Sequence, residues 1–324
     1  NIDGFNDCES LETIVIPEGA ESIEPYAFSG CKSLKSISIP DKVTKIGDHA
    51  FSLCKDIEHI AIGKGVKEIG DGAFYECYTP HDVYYNGSLS DWCRITMDVR
   101  GYPEDTNPLG EAINFYVKND GIGYKEMKNL IIPNDIDTIK PYAFSGCKAF
   151  NTVTILENVR EVGEEAFWSC TSIDSLYINA EKIGDYAFHA CQKLKMITIG
   201  NNVKSIGRFA FQHCALSHAT KFYGDMKEWF KIKRGDNALP CGELTIDNEL
   251  IVSYAPEQLS VIEVPARAFY GCSSLKSVNL PFSVKKIGES AFCDCDNLIE
   301  ATAKGATKIG DYAFYGCVNL ESFE

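Results

Sequence analysis

Leu34-Lys35-Ser36-Ile37-Ser38-Ile39-Pro40-Asp41-Lys42-Val43-Thr44-Lys45-Ile46-Gly47-Asp48-His49-Ala50-Phe51-Ser52-Leu53-Cys54 is the stretch that decides the fold. Ile37 and Ile39 alternate with serines, the period of a short strand with one face on a core. Pro40 ends that strand, because proline has no N–H to give to a ladder. Val43 and Ile46 begin a return segment, Gly47 stands where the chain must turn, and Asp48 suits a cap. Asp48 to Cys54 then reads as one helical or 3-10 turn that drops Phe51 and Cys54 inward.

The same spacing extends outward in both directions. Phe5, Phe28, Phe51 and Phe74 lie 23 residues apart, and Cys8, Cys31, Cys54 and Cys77 keep that step. The register returns at Phe144, Phe167, Phe188 and Phe211 with steps of 23, 21 and 23. It returns again at Phe269, Phe292 and Phe314 with steps of 23 and 22, giving eleven coils in three blocks. One such coil cannot bury its apolar face alone, so coils must stack around a shared core. Strands stacked at about 4.8 Å form a parallel sheet, and the body is on the order of 50 Å long.

The pattern Leu34-x-x-Ile37-x-Ile39-Pro40-x-x-Val43-x-x-Ile46-Gly47-x-x-Ala50-Phe51-x-x-Cys54 resembles the BspA-like, Treponema-type leucine-rich repeat. It recurs at Ile183-Gly184-Asp185-Tyr186-Ala187-Phe188 and at Ile309-Gly310-Asp311-Tyr312-Ala313-Phe314. The expected fold class is therefore α/β but β-rich. It is a right-handed leucine-rich-repeat solenoid with a stacked parallel sheet and short helical or 3-10 turns. The resemblance also implies a surface or secreted protein of host-associated anaerobic bacteria or parasitic protists. It implies adhesion to host matrix proteins or to other cells.

The period breaks twice, and the two breaks resemble each other. The first holds Tyr84-Tyr85-Asn86-Gly87-Ser88-Leu89-Ser90-Asp91-Trp92, the second Phe222-Tyr223-Gly224-Asp225-Met226-Lys227-Glu228-Trp229. Ser88 and Asp225 suit N-caps of short helices carrying Trp92 and Trp229. Phe115-Tyr116-Val117 before Asn119-Asp120-Gly121, and Leu244-Thr245-Ile246 before Asp247-Asn248, read as hairpins. Strand–helix–hairpin modules of this kind also recur in the resembled family. The organisation expected is a repeat block over 1–77, an insert over 78–129, a block over 130–214, an insert over 215–260 and a block over 261–324, in one continuous solenoid. Between Leu250 and Pro265 there are two strand–proline endings, near Pro256 and Pro265, so one coil is either shortened or doubled. The chain enters late in a coil and stops inside a strand segment, with no polar cap at either end, which predicts a natural protein longer than these residues.

Composition narrows the partners. The net charge is −15 and no Lys/Arg run opposes it, so nucleic acid is not an expected partner. No apolar stretch is long enough to cross a membrane as a helix, and no membrane insertion is expected. Acidity also disfavours sideways association, so a monomer is expected. Localisation is read as extracellular or cell surface from the resemblance.

Most chemically suggestive residues fall on the repeat. Eleven of the 14 cysteines keep the ladder spacing on the core side, which favours buried thiols acting as small hydrophobes. Neighbouring ladder positions also lie within disulfide reach, so pairing stays open. His189-x-Cys191 and His213-Cys214 hold zinc-type ligands, but these cysteines point inward and no paired Cys-x-x-Cys or His-x-x-x-His accompanies them. No nucleophile elbow and no phosphate loop is present; Gly121-Ile122-Gly123 reads as a hairpin turn. Catalytic residues, metal and cofactors are accordingly not expected, and the chain is read as no enzyme.

Binding residues are sought on two features. The outward strand positions are small and hydroxylated, as an exposed sheet tolerates, with His59, Thr152, Thr154, Ser175, Tyr177, Met196 and Thr198 as contacts for a ligand. The inserts are rich in aromatics; Tyr85, Trp92, Tyr223 and Trp229 are expected either in the insert cores or exposed as anchors for a protein or glycan. The competing reading is a stiff acidic spacer that displays another domain. A contiguous exposed aromatic or apolar patch separates the two.

Overall fold

In the computed structural model all residues are described except 79, 102–105, 120–122, 216–218, 240 and 256–260, together with the side chain of Asn119. The quoted stretch forms a strand Ser36–Ile39 with Ile37 and Ile39 inward, and a second short strand Lys45–Ile46 on the return. Each coil repeats this pair, so the strands stack into two sets of parallel sheets. Ser36–Ile39 pairs with His59–Ile62 in the main set, and Lys45–Ile46 pairs with Glu68–Ile69 in the other. The main set is divided into sheets of five, seven and four strands.

The turn bearing the phenylalanine departs from the expectation of a helical or 3-10 turn. From Asp48 to Leu53 the backbone is a run of tight turns in which alternate N–H groups leave the coil. Ala50, Ser52 and Cys54 donate to Gly47, His49 and Phe51 in their own coil. His49, Phe51 and Leu53 donate to Asp71, Ala73 and Tyr75 of the next. A helix would turn all of these groups inward upon itself. Sending every second one outward requires positive φ on both sides of the phenylalanine, and His49 (53°) and Leu53 (63°) adopt it. Tyr26 and Gly30 flank Phe28 in the same way, as do Tyr186 and Ala190 around Phe188.

Stacking sets the phenylalanines face to face. Phe28 and Phe51 are 5.3 Å apart between ring centroids and 1° from parallel, and Phe167 and Phe188 are 4.9 Å and 4°. The cysteine three residues on is buried beneath them. Its thiol donates to the carbonyl of the preceding coil's phenylalanine: Cys54 to Phe28 at 3.3 Å, Cys170 to Phe144 at 3.1 Å, Cys295 to Phe269 at 3.1 Å. All fourteen cysteines are free thiols. The ladder cysteine is thus more than a small hydrophobe; it adds a weak donor that alanine lacks.

The helical modules carry the stack onward. Strand Asp82–Tyr85 pairs in parallel with His59–Ile62, and Asn114–Asn119 pairs with Asp82–Tyr85. Gly123–Glu126 then closes the sheet antiparallel. In the second module Ala219–Tyr223 continues the sheet, Glu243–Ile246 follows, and Glu249–Leu250 closes it. The hairpin at Leu244–Asn248 is as expected; the Asn119-Asp120-Gly121 turn lies outside the described residues, as does Gly121-Ile122. Leu89–Trp92 and Met226–Lys231 are helices, each begun by a reciprocal capping box on Ser88 and Asp225. Among the described residues between Leu250 and Pro265, Ser253–Tyr254 pairs with Ser277–Asn279, and Glu263–Val264 pairs with Lys286–Ile287. Pro256 lies outside the described residues.

Each module joins its neighbour through a tryptophan. Within a block, the ladder alanine carbonyl accepts from the phenylalanine N–H of the coil before it, as Ala166 does from Phe144 at 2.8 Å. The first coil of the second and of the third block has a module before it instead. There the indole N–H takes over: Trp92 Nε1 donates to the Ala143 carbonyl at 2.8 Å, and Trp229 Nε1 to that of Ala268 at 2.8 Å.

Three stability outcomes follow from the ladder. Phe167→Ala should cost about 3–5 kcal/mol through the cavity it leaves. Trp92→Phe should cost about 1–3 kcal/mol by orphaning a buried carbonyl. Urea unfolding measures both, and a wild-type midpoint for either variant contradicts the role assigned. The thiols add a pH dependence, since burial pushes Cys54 and Cys147 up to about 12. An unfolded thiol ionises near pH ~8.5, so above that pH the unfolded chain holds fewer protons than the folded one. Stability is then full below about pH 8.5 and falls as pH rises, by up to about 1.4 kcal/mol per pH unit per thiol. The urea midpoint should drop between about pH 8 and 10, and Cys54→Ala should reduce the drop by one thiol's share; a flat wild-type profile contradicts the assignment.

Candidate functional site

The outer face of the main sheets is built by strand parity. Along Asp82-Val83-Tyr84-Tyr85, Val83 and Tyr85 stand in register with Ile60 and Ile62 and point inward. Asp82 and Tyr84 therefore point outward, beside Asn114 and Tyr116 of the next strand. Tyr84 and Tyr116 stack at 4.7 Å and 9°, and the exposed Tyr124 meets Tyr84 edge-on at 5.1 Å and 71°. The Tyr124 hydroxyl donates to Asn86. Asp82 accepts from Asn114 Nδ2 at 2.8 Å and stands 3.2 Å from His59 Nδ1. Three tyrosine rings and a short polar row thus share one surface. Burial first, then the Asp82 carboxylate, pushes the pKa of Tyr84 up, so the phenol stays a neutral donor.

The seven-stranded sheet continues this face with different residues. One outward row runs Asn129, Thr152, Ser175, Met196, Ala219; the next runs Ile131, Thr154, Tyr177, Thr198, Lys221. Met196 is 52% exposed and Ile131 59%. Tyr177 lies 6.3 Å from Tyr223, and Lys221 Nζ sits 4.6 Å over the Tyr223 ring. Of the expected contact residues, His59, Thr152, Thr154, Ser175, Tyr177, Met196, Thr198 and Tyr223 are all on the outer face.

Tyr85, Trp92 and Trp229 are corrections to that set as ligand contacts. All three are fully buried. Tyr85 is inward by parity and packs edge-on against Trp92 at 5.2 Å. The two tryptophans are held by their bonds to Ala143 and Ala268. In their place the face offers Tyr84, Tyr116 and Tyr124. Extending the Ile60/Ile62 parity into the module finds the first of these from sequence alone.

The remaining candidates for chemistry are occupied otherwise. His189 and His213 meet edge-to-face at 5.1 Å, and burial, then His213, holds the pKa of His189 down. Cys191 and Cys214 spend their thiols on the Phe167 and Phe188 carbonyls. Among the described residues no group of three or more His, Cys, Asp or Glu side chains is placed to hold a metal ion. Among the described residues no helix is long and apolar enough to cross a membrane. The face of the second set of sheets is laced with ion pairs between successive coils, such as Lys182–Glu161 at 2.6 Å and Lys204–Glu181 at 2.8 Å. Charges that already answer one another leave that face less to offer a ligand than the outer face of the main sheets.

Comparison with known proteins agrees with this architecture. The family model described as "BspA type Leucine rich repeat region" matches in 6 copies over residues 2–93, 119–228 and 254–324, well over half of the chain. No curated protein matches it. Among solved structures, a leucine-rich repeat protein from Bacteroides ovatus is similar with 23% identity and a TM-score of 0.56, over 93% of this chain and 81% of that one. A leucine rich cell surface protein from Faecalibacterium prausnitzii has 20% identity and a TM-score of 0.39, over 95% and 77%. The pneumococcal vaccine antigen PcpA has 15% identity and a TM-score of 0.38, over 93% and 74%.

Proposed function

The chain belongs to the BspA-type leucine-rich repeat family, and from that premise we propose that it is a non-catalytic adhesion protein, secreted or held at the cell surface, that binds a protein ligand along the outer face of its main sheets. The observation behind this reading is the Tyr84, Tyr116 and Tyr124 group, continued by Tyr177, Met196 and Tyr223 on the next sheet. Tyrosine supplies large contact area at small entropy cost and keeps a polar handle, which makes it a frequent anchor in interfaces. A spacer has no use for aromatics in this position.

The two modules provide an internal comparison. Their inward residues correspond: Tyr85 with Phe222, Gly87 with Gly224, Trp92 with Trp229. Their outward residues differ, with Tyr84 and Tyr116 in one and Lys221 and Thr245 in the other. Folding has held the core side alike while the outer side has diverged, which is the pattern of a fold reused for recognition.

A panel of immobilised extracellular-matrix proteins, probed with the wild-type chain and with the Tyr84→Ala/Tyr116→Ala double variant, tests the reading. Wild type should bind at least one member of the panel. The double variant should bind it about thirtyfold more weakly, the loss of one interface hot spot of about 2 kcal/mol. Its urea midpoint should stay close to wild type. Failure to bind any member, or equal binding by the variant, counts against the proposal.

A further inference from the structure

A cleft opens beside the first module, and none of the outward main-sheet residues named above lines it. It measures about 380 Å³ and is walled by Lys64, Lys67 and Glu68 of one coil and by Asp91, Arg94 and Thr96 of the module. That volume falls within the range of small-molecule sites, roughly 300–1,000 Å³. Tyr85 also lines it. The Tyr85 side chain is fully buried, and its hydroxyl has no hydrogen-bond partner among the described residues. The Gly87 turn lies against its hydroxyl end, where an added Cβ would stand 2.9 Å from the oxygen.

We propose that this cleft binds a small ligand through one oxyanion group — a carboxylate, sulfate or phosphate — held by Lys64, Lys67 and the Tyr85 hydroxyl.

Charge supports the choice. The two carboxylates in the wall are already engaged: Glu68 lies 3.5 Å from Lys45, and Asp91 accepts from the N-cap Ser88 and lies 4.0 Å from Arg94, which is itself paired with Asp135 at 2.9 Å. The ammonium groups of Lys64 and Lys67 have no ion-pair partner among the described residues. Two such ammonium groups on a chain of net charge −15 are the feature of this cleft that favours an anion. Burial first, then the Asp91 and Asp41 carboxylates, pushes the Tyr85 pKa upward, so its hydroxyl remains a donor. The hydroxyl is also not a requirement of folding: Phe222 fills the corresponding place in the second module and packs on Trp229 at 5.2 Å, as Tyr85 packs on Trp92. Hydrogen bonds to charged groups are the strong ones, which gives this buried O–H a role that a phenylalanine cannot fill.

Isothermal titration of the whole chain with galacturonate, sulfate and phosphate, with neutral galactose as control, tests the proposal. At least one anion should bind, with an affinity that falls as salt rises, and the anion that binds identifies the group. Tyr85→Phe should keep the wild-type unfolding midpoint and bind about tenfold more weakly. Lys64→Glu/Lys67→Glu should lose binding, and the Tyr84→Ala/Tyr116→Ala variant should bind as wild type does, which separates this site from the outer face. Binding of none of the three anions, equal binding of galactose, wild-type affinity in Tyr85→Phe, or loss of binding in the Tyr84→Ala/Tyr116→Ala variant would overturn it.

Discussion

Within a block, the N–H of a ladder phenylalanine is satisfied in the next coil. Phe51 donates to Ala73 and Phe167 to Ala187, each at 2.8 Å. Buried backbone groups must be paired, so a coil without a following coil leaves its phenylalanine N–H orphaned at the centre of the core. This one bond explains the positive φ values on either side of the ring, because only alternating backbone handedness turns every second N–H along the stack axis. It also explains the small residues around the turn. A Cβ at Gly47 would stand 2.4 Å from the Pro25 nitrogen of the coil beneath. The stacked rings and the cysteine thiols then occupy the space that this spacing leaves.

The modules are where that constraint is met by other means. Both replace a tight-turn return with a short capped helix, and both present an indole N–H to the carbonyl that would otherwise lack its phenylalanine donor. The aromatic core bends through them rather than stopping. Trp92 packs on Phe115 at 5.0 Å, Phe115 on Phe150 at 6.4 Å, and Phe150 on the ladder Phe144 at 5.5 Å. At the second junction Tyr254 packs on the ladder Phe269 at 5.0 Å. The main sheet is interrupted by its closing hairpins while the core beneath is not. The outward positions of the first module carry the Tyr84 and Tyr116 pair.

The ladders were legible in sequence because a period of 23 residues writes the same inward positions again and again: Phe, Cys, Leu and Ile. The exact course of the tight turn is not legible in sequence for a physical reason. Its backbone serves the next coil, and residues such as Tyr26, His49 and Tyr186, which hold positive φ, give no local sign of it. For Trp92 and Trp229 the sequence left core and anchor both open, because their partners lie 51 and 39 residues away across a junction. Tyr84 was readable, since the parity of Ile60 and Ile62 passes unbroken into Val83 and Tyr85; treating the module as a break in the period concealed it. The Tyr116 and Tyr124 neighbourhood depended on strand order, which spacing alone did not supply.

Native-state hydrogen exchange at the phenylalanine amides on either side of the first module measures the central claim directly. If one core and the Trp92 bond couple the blocks, the Phe51 and Phe167 amides exchange with the same opening free energy, that of the whole chain unfolding. Exchange at Phe51 with a distinctly lower opening free energy than at Phe167, or the reverse, would mean that the blocks open separately and that the junction does not transmit the ladder.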